Sequence, residues 1–208
     1  INKKAIAFSY KATRGDRAVL IATFLSTLFL ELEMAVYVGV ILSIALFLKK
    51  VANPQISIVT PRVGDNKMSA YQKERSCPQI AIFEISGSLF FGAIEEMEKK
   101  LSELRTMKQN IYLIRMRAVR ILDATGAHAL ERFLKDTEIN NEKVIFTNVS
   151  ESVRRTIVNC GLLPMIGEEN ITDDSTDAIR LAVLKYADRG ICKNCTIKVF
   201  NECEESSR

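Results

Sequence analysis

The sequence predicts an α-helical membrane hairpin followed by an α/β domain in which helices pack on a sheet. Three observations carry that expectation. Two charge-free apolar runs, 19–30 and 34–48, lie close together near the start of the chain. From Pro78 onward, period-2 and period-3.6 hydrophobic patterns alternate, as they do where strands are covered by helices. Polar, proline-containing sequence separates the two regimes. The expected organisation is a lead-in at 1–16, the hairpin at 17–50 and a linker at 51–77. The α/β domain follows at 78–189, and a polar, cysteine-containing tail at 190–208.

Composition narrows the function classes. The net charge of +4 in 208 residues is mild, and no dense basic run is interleaved with aromatics, so nucleic acid is not an expected partner. The lone histidine, His128, excludes a histidine-rich metal site. The five cysteines read as reduced thiols on a cytoplasmic face. The chain opens on Ile1 and not Met, which fits a fragment or a processed chain.

The apolar runs admit three arrangements. One helix from Val19 to Leu48 would be about 45 Å long and would bury Glu31 and Glu33 near mid-membrane, at a cost of several kcal/mol. Two buried helices of a soluble core are the second arrangement. The third is a hairpin turning near Glu31–Met34, and charge placement favours it. Lys3, Lys4, Lys11, Arg14 and Arg17 precede the first run, and Lys49 and Lys50 follow the second. A hairpin puts both basic ends on one side, which the positive-inside rule makes cytoplasmic. Each run is short for a full span of about 20 residues, so the pair suits a larger bundle better than a lone anchor. Pro54 stops the second helix.

The elements of the second half follow in order. "ISIVT" near Ile56 is a candidate edge strand, and Asp65–Cys77 reads as a loop. "QIAIFEIS" is a strand with Ile80, Ile82 and Glu84 on the opposite face from Phe83 and Ile85. Gly87 breaks it, and "FGAIEEMEKKLSEL" is an amphipathic helix with Ile94, Met97, Leu101 and Leu104 on one face. "NIYLIRM" is the next strand. Residues 127–135 form a helix with Leu130, Phe133 and Leu134 inward. "KVIFTNV" is a short strand. "SESVRRTIVNC" is a helix capped by Ser150 and closed by Gly161. "DDSTDAIRLAVLKYADR" is the last helix, with Ile179, Val183 and Tyr186 on one face.

Chemistry concentrates at "RILDATGAHAL", where a strand hands over to a helix. Thr125 stands at or beside the helix N-cap, where its hydroxyl can accept a first-turn N–H. Asp123 places negative charge at the positive end of the helix dipole, and Gly126 lets the chain turn closely. The same Thr125 hydroxyl is a candidate for phosphorylation, because a phosphate at a helix N-terminus meets unpaired N–H groups. A catalytic role is weaker. His128 follows three residues later, but no third group orients it, and no acid–base constellation marks an enzyme. In the tail, Cys192 and Cys195 form a CxxC pair and Cys203 follows. A metal site there needs a fourth ligand, from Cys160 or Cys77 if folding brings one close. A redox pair and plain reduced thiols are the alternatives.

"LDATG", with "ISGSLFFGAIEEME" before it and "VSESVRRTIVNCGLL" after it, resembles a STAS domain. The module is shared by anti-sigma-factor antagonists and the cytoplasmic tails of sulfate permease (SulP) family anion transporters. "RGDRAVLIATFLSTLFLELEMAVYVGVILSIALFLKK" resembles the last two membrane helices of a SulP transporter. The resemblance implies a small mixed sheet flanked by helices, in a multi-pass protein of the cell membrane with the STAS domain cytoplasmic. It implies secondary transport of sulfate or a related anion, with the STAS domain regulating or assembling the membrane part. Thr125 matches the phosphorylated position of the antagonist branch, and Asp123 and Gly126 match its neighbours. The implied partners are the rest of the membrane domain, the lipid bilayer, a second copy, and a regulatory protein or nucleotide. No cofactor is implied, and no glycine-rich phosphate loop supports the nucleotide. Substrate residues would lie in a part of such transporters not present here. The alternative is a membrane-tethered STAS signalling module switched at Thr125.

Overall fold

The computed structural model describes residues 13–51, 55–62, 65–70, 76–90, 99, 102–103 and 109–206. The chain divides into two compact units, Ile1–Val51 and Ala52–Arg208. Of the helix expected over 91–104, residues 99 and 102–103 are described and are helical, while the rest of it and the basic residues Lys3, Lys4 and Lys11 lie outside the described residues.

The first unit is a helical hairpin. Helix α1 is Arg14–Phe29 and helix α2 is Leu32–Val51. The break falls at Leu30, whose backbone is extended, so the two apolar runs do not form one helix. Thr13 caps α1 by accepting from the Asp16 amide at 3.1 Å and donating to its carboxylate at 2.8 Å. The helices meet through small residues. Ala35 and Gly39 are buried, and a Cβ on Gly39 would lie 2.7 Å from Thr23 Oγ1. Ser26 and Thr27 return their hydroxyls to backbone carbonyls one turn earlier, which keeps polar atoms satisfied on apolar helices. The outward faces are apolar: Phe24, Phe29, Leu32, Ile41 and Phe47 are each more than 60% exposed. Among the described residues one stretch, Leu32–Lys49, is by itself long and apolar enough to cross a membrane.

The second unit is a six-stranded mixed sheet, spatial order β2-β1-β3-β4-β5-β6, with helices on both faces. Strands β1 (Gln55–Arg62), β2 (Asp65–Ala70), β3 (Ile80–Ser86) and β4 (Ile111–Ala118) come first. Helix α3 (Ala124–Ile139), strand β5 (Lys143–Thr147), helix α4 (Glu151–Asn159) and the short α5 (Leu163–Ile166) follow. Strand β6 (Ile171–Thr172) precedes α6 (Ser175–Leu181), which continues as a π-turn over Ala182–Tyr186. Helices α7 (Arg189–Asn194) and α8 (Cys203–Ser206) end the fold. Strands β3 to β6 are mutually parallel, while β1 runs antiparallel to both β2 and β3.

Asp65–Ala70 is therefore a strand where a loop was expected. Its polar sequence has no apolar alternation, but an edge strand needs only backbone pairing on one side. Pro61 sits at the register shift of β1, opposite β2 alone, where a missing N–H is tolerated.

Strand alternation sorts the core. Phe83, Ile85, Tyr112, Ile114 and Phe146 face Leu130, Phe133 and Leu134 of α3 and Val153 and Ile157 of α4. Ile80, Ile82, Ile111, Leu113 and Ile145 face Ile179 and Val183. The Gly161 amide bonds Val158 O and the Leu162 amide bonds Ile157 O. With Gly161 at φ +72°, this is the glycine stop that ends α4. Ser150 occupies the cap position of α4, yet its hydroxyl donates to Val119 O at 3.3 Å and makes no capping bond.

The described part of the expected tail, 190–206, is not a free polar segment. Val199 and Phe200 are 6% exposed and join the second core. Buried Gln79 holds the turn before α7, accepting from the Asp188 amide at 2.7 Å and donating to its carbonyl at 3.1 Å. Phe200→Ala is expected to destabilise the domain by about 3–5 kcal/mol, measured by denaturant unfolding. A loss below about 0.5 kcal/mol would mean the tail is solvated.

Candidate functional site

The loop 119–123 joins β4, which is central in the sheet, to α3. Neighbours on both sides clamp it. The Leu89 amide donates to Ile121 O at 2.8 Å, and the Asp123 amide donates to Leu89 O at 3.1 Å. Leu89 and Leu122 thus form a one-residue parallel bridge, and both are buried. On the other side, Ser150 and Ser152 donate to Val119 O and Arg120 O at 3.3 and 3.1 Å.

Asp123 is the N-cap of α3. Its Oδ1 accepts from the Gly126 amide at 2.8 Å. The capping bond expected from Thr125 is made by Asp123, because a side chain reaches the first-turn amides best from the residue just outside the helix. Thr125 is then the second helical residue, exposed, with its hydroxyl outside the cap. Gly126 also differs from expectation. It is helical and makes no turn, but a Cβ there would lie 2.5 Å from Leu89 O and 2.9 Å from Leu122 Cδ1. Glycine is required so that the 87–90 loop can lie against the first turn of α3.

His128 is exposed and sits 3.0 Å from Glu131, which also pairs with Lys135 at 2.6 Å. The Lys135 ammonium first, and His128 second, hold the Glu131 carboxyl below its ordinary range. His128 thus joins Lys135 in bonding to Glu131 on the surface of α3.

A second polar cluster lies at the carboxyl ends of the strands, on the face towards α6. Arg115 of β4 donates to Ser175 Oγ at 3.1 Å and stands 3.6 Å from Glu84 of β3. Ser175 donates to Asn148 Oδ1 at 2.9 Å, and Asn148 donates to Asp173 O at 2.8 Å. Asn148 has φ +57°, a left-handed turn that asparagine tolerates. Strand alternation placed Glu84 on this face from sequence. Arg115 follows Ile111 and Leu113 in the same way, a signal the pattern offered and sequence reasoning did not use.

The cysteines divide. Cys77, Cys192, Cys195 and Cys203 line one small cavity with Pro78, Gln79 and Val199. Cys160 is exposed at the end of α4 and does not line it. None of the five is in a disulfide. Burial pushes the Cys77 thiol up to about 11 and raises Cys203. Among the described residues, no three His, Cys, Asp or Glu side chains stand arranged as a metal-binding set.

Two substitutions measure the clamp at α3. Gly126→Ala is expected to cost about 1–3 kcal/mol through overpacking. Asp123→Ala is expected to cost about 1 kcal/mol, with Asp123→Asn recovering most of it. Denaturant unfolding checks both.

Comparison with known proteins fits this geometry. The STAS domain model matches residues 71–178, just over half of the chain. Probable sulfate transporter 4.2 of Arabidopsis thaliana is 23% identical over 198 residues, covering 88% of this chain and 29% of that protein. Sulfate transporter 4.1, chloroplastic, of the same plant is 22% identical over 191 residues, covering 85% and 28%. The inward-facing structure of the murine Slc26a9 anion transporter superposes with a TM-score of 0.78 at 19% identity, covering 89% of this chain and 31% of that one. The chain spans less than a third of the length of these relatives. It belongs to the STAS domain family and is homologous to SulP-type sulfate transporters.

Proposed function

We propose that the chain is the part of a secondary active sulfate or related anion transporter in which the last two membrane helices run into a cytoplasmic STAS domain. The observation that carries this is that hairpin and domain together match one anion-transporter fold over 89% of the chain. The chemistry of the hairpin agrees. Its helices are apolar on nearly every side and bury little against each other, so their outer faces suit lipid or neighbouring membrane helices. Arg14, Arg17 and Lys49 lie at its open end and Glu31 and Glu33 at its turn, a charge bias that supports a cytoplasmic open end and a cytoplasmic STAS domain. The protein is then a multi-pass component of the cell membrane. Its partners are the rest of the membrane domain and, through the STAS domain, a second copy or a regulatory protein. The role is regulatory or assembling and not enzymatic: His128 is spent on Glu131.

Thr125 is the regulatory position in this reading. Its hydroxyl carries no capping duty, so a phosphate added there would change the surface without unfolding α3. Asp123 opposes the added charge, while the first-turn amides favour it. The same observation favours the second reading, a membrane-tethered STAS module switched at Thr125.

The gene upstream of Ile1 separates the two readings. About ten further apolar spans in frame are expected for the transporter, and a start codon close to Ile1 would leave the tethered module. In the full-length protein, Thr125→Asp is expected to change labelled-sulfate uptake by at least about fivefold, the lower end of an ordinary coupling energy. The circular dichroism of the STAS domain should stay unchanged. Unaltered uptake, with no phosphate found on Thr125 by mass spectrometry, overturns the regulatory role.

A further inference from the structure

Four of the five cysteines converge from three separate segments. Cys77 ends the segment leading into β3, Cys192 lies in α7, Cys195 caps that helix, and Cys203 opens α8. They line a cavity of about 20 Å³. We infer that Cys77, Cys192, Cys195 and Cys203 form a structural tetrathiolate site for one zinc ion, which fastens the C-terminal segment to the start of β3.

Three features support the inference. The first is size. A volume of about 10–15 Å³ already admits a single water-sized guest, so this cavity takes one ion and not a multi-iron cluster. The second is ligand chemistry. Four sulfurs with no competing carboxylate or imidazole on the cavity wall select a soft or borderline cation, and the CxxC spacing of Cys192 and Cys195 is that of structural zinc sites. The third is the surrounding shell. Gln79 is 3% exposed, and its Nε2 donates to Cys192 Sγ at 3.4 Å while also holding Asp188 O at 3.1 Å. A buried amide donor aimed at sulfur stabilises thiolate over thiol and orients the ligand.

The thiols as they stand are not a finished ligand set. At a Zn–S distance of about 2.3 Å, tetrahedral sulfurs sit about 3.8 Å apart, near the spacing of sulfurs in van der Waals contact. Closing the site requires the four side chains lining the cavity to turn their sulfurs to that spacing. On binding, each thiol releases its proton to solvent and each sulfur gives an electron pair to the metal. The zinc and four thiolates form a dianionic centre with no change of oxidation state.

The test uses the full chain, purified in detergent under reducing conditions without added chelator. Elemental analysis should find about one zinc per chain, and cobalt exchanged into the site should show the intense visible absorption of a tetrahedral tetrathiolate. Cys77→Ser and Cys195→Ser should abolish both signals, and Cys160→Ser should keep them. A chain that holds no zinc and takes up no cobalt overturns the site, as does zinc retained by both serine variants. A Cys192–Cys195 disulfide in the freshly purified protein overturns it in favour of redox chemistry. If a serine variant fails to fold, the cobalt spectrum of the native chain decides alone. None of these outcomes depends on whether the protein transports an anion.

Discussion

The STAS unit is organised around one close approach, that of the Leu89 carbonyl to the first turn of α3. That oxygen accepts the Asp123 amide and lies where a Cβ of residue 126 would be. A single glycine therefore lets the loop after β3 lie across the start of the helix that follows β4. The consequence spreads outward. The loops after two parallel neighbours are joined by Leu89 and Leu122, and Ser150 and Ser152 join the third from the start of α4. The carboxyl ends of the strands, where α/β sheets expose their variable loops, become one braced surface.

The two units solve different solvation problems. The domain is held by sorting apolar side chains onto two sheet faces, and its polar cluster at Glu84, Arg115, Asn148 and Ser175 appears only where those faces run out. The hairpin has no such sorting. In lipid, burial of apolar area gives helices no reason to associate, so contact rests on close packing of Ala35 and Gly39 against α1. Thr23 Oγ1 is buried there with no hydrogen-bond partner. That orphan is tolerable only where the backbone approach it permits is worth more than one unsatisfied hydroxyl, about 1–3 kcal/mol.

What could be read from the sequence follows from which signals are local. The helix face of Leu130, Phe133 and Leu134, the strand faces of Ile80, Ile82, Phe83 and Ile85, and the Gly161 stop all depend on spacing within one element. The hairpin was legible because Glu31 and Glu33 interrupt two charge-free runs. Strand β2 was illegible because its stability comes from pairing with β1, and pairing leaves no pattern in "DNKMSA". Gly126 was visible as a glycine, but the reason for it lies on Leu89, more than thirty residues away. Cys77 could be named as a fourth ligand only conditionally, since nothing near it in sequence shows that α7 and α8 return to it. The tail looked polar because Ile197, Val199 and Phe200 are a short apolar stretch set among charged and polar residues, too short to establish a period.

The division of labour between Asp123 and Thr125 is the physical core of the regulatory reading. Had Thr125 been the cap, its modification would remove the bond that begins α3 and would cost the helix its start. With Asp123 as cap, the bond that starts the helix and the Thr125 hydroxyl belong to different residues of the same first turn. Charge added at Thr125 then acts on whatever touches that surface, while Leu89, Gly126 and Ser152 keep the frame in place. In the proposed reading, a signal at this exposed hydroxyl reaches a partner without unfolding the helix. A catalytic threonine would need the opposite arrangement, a hydroxyl engaged by a base, and here the one histidine nearby turns to Glu131 instead.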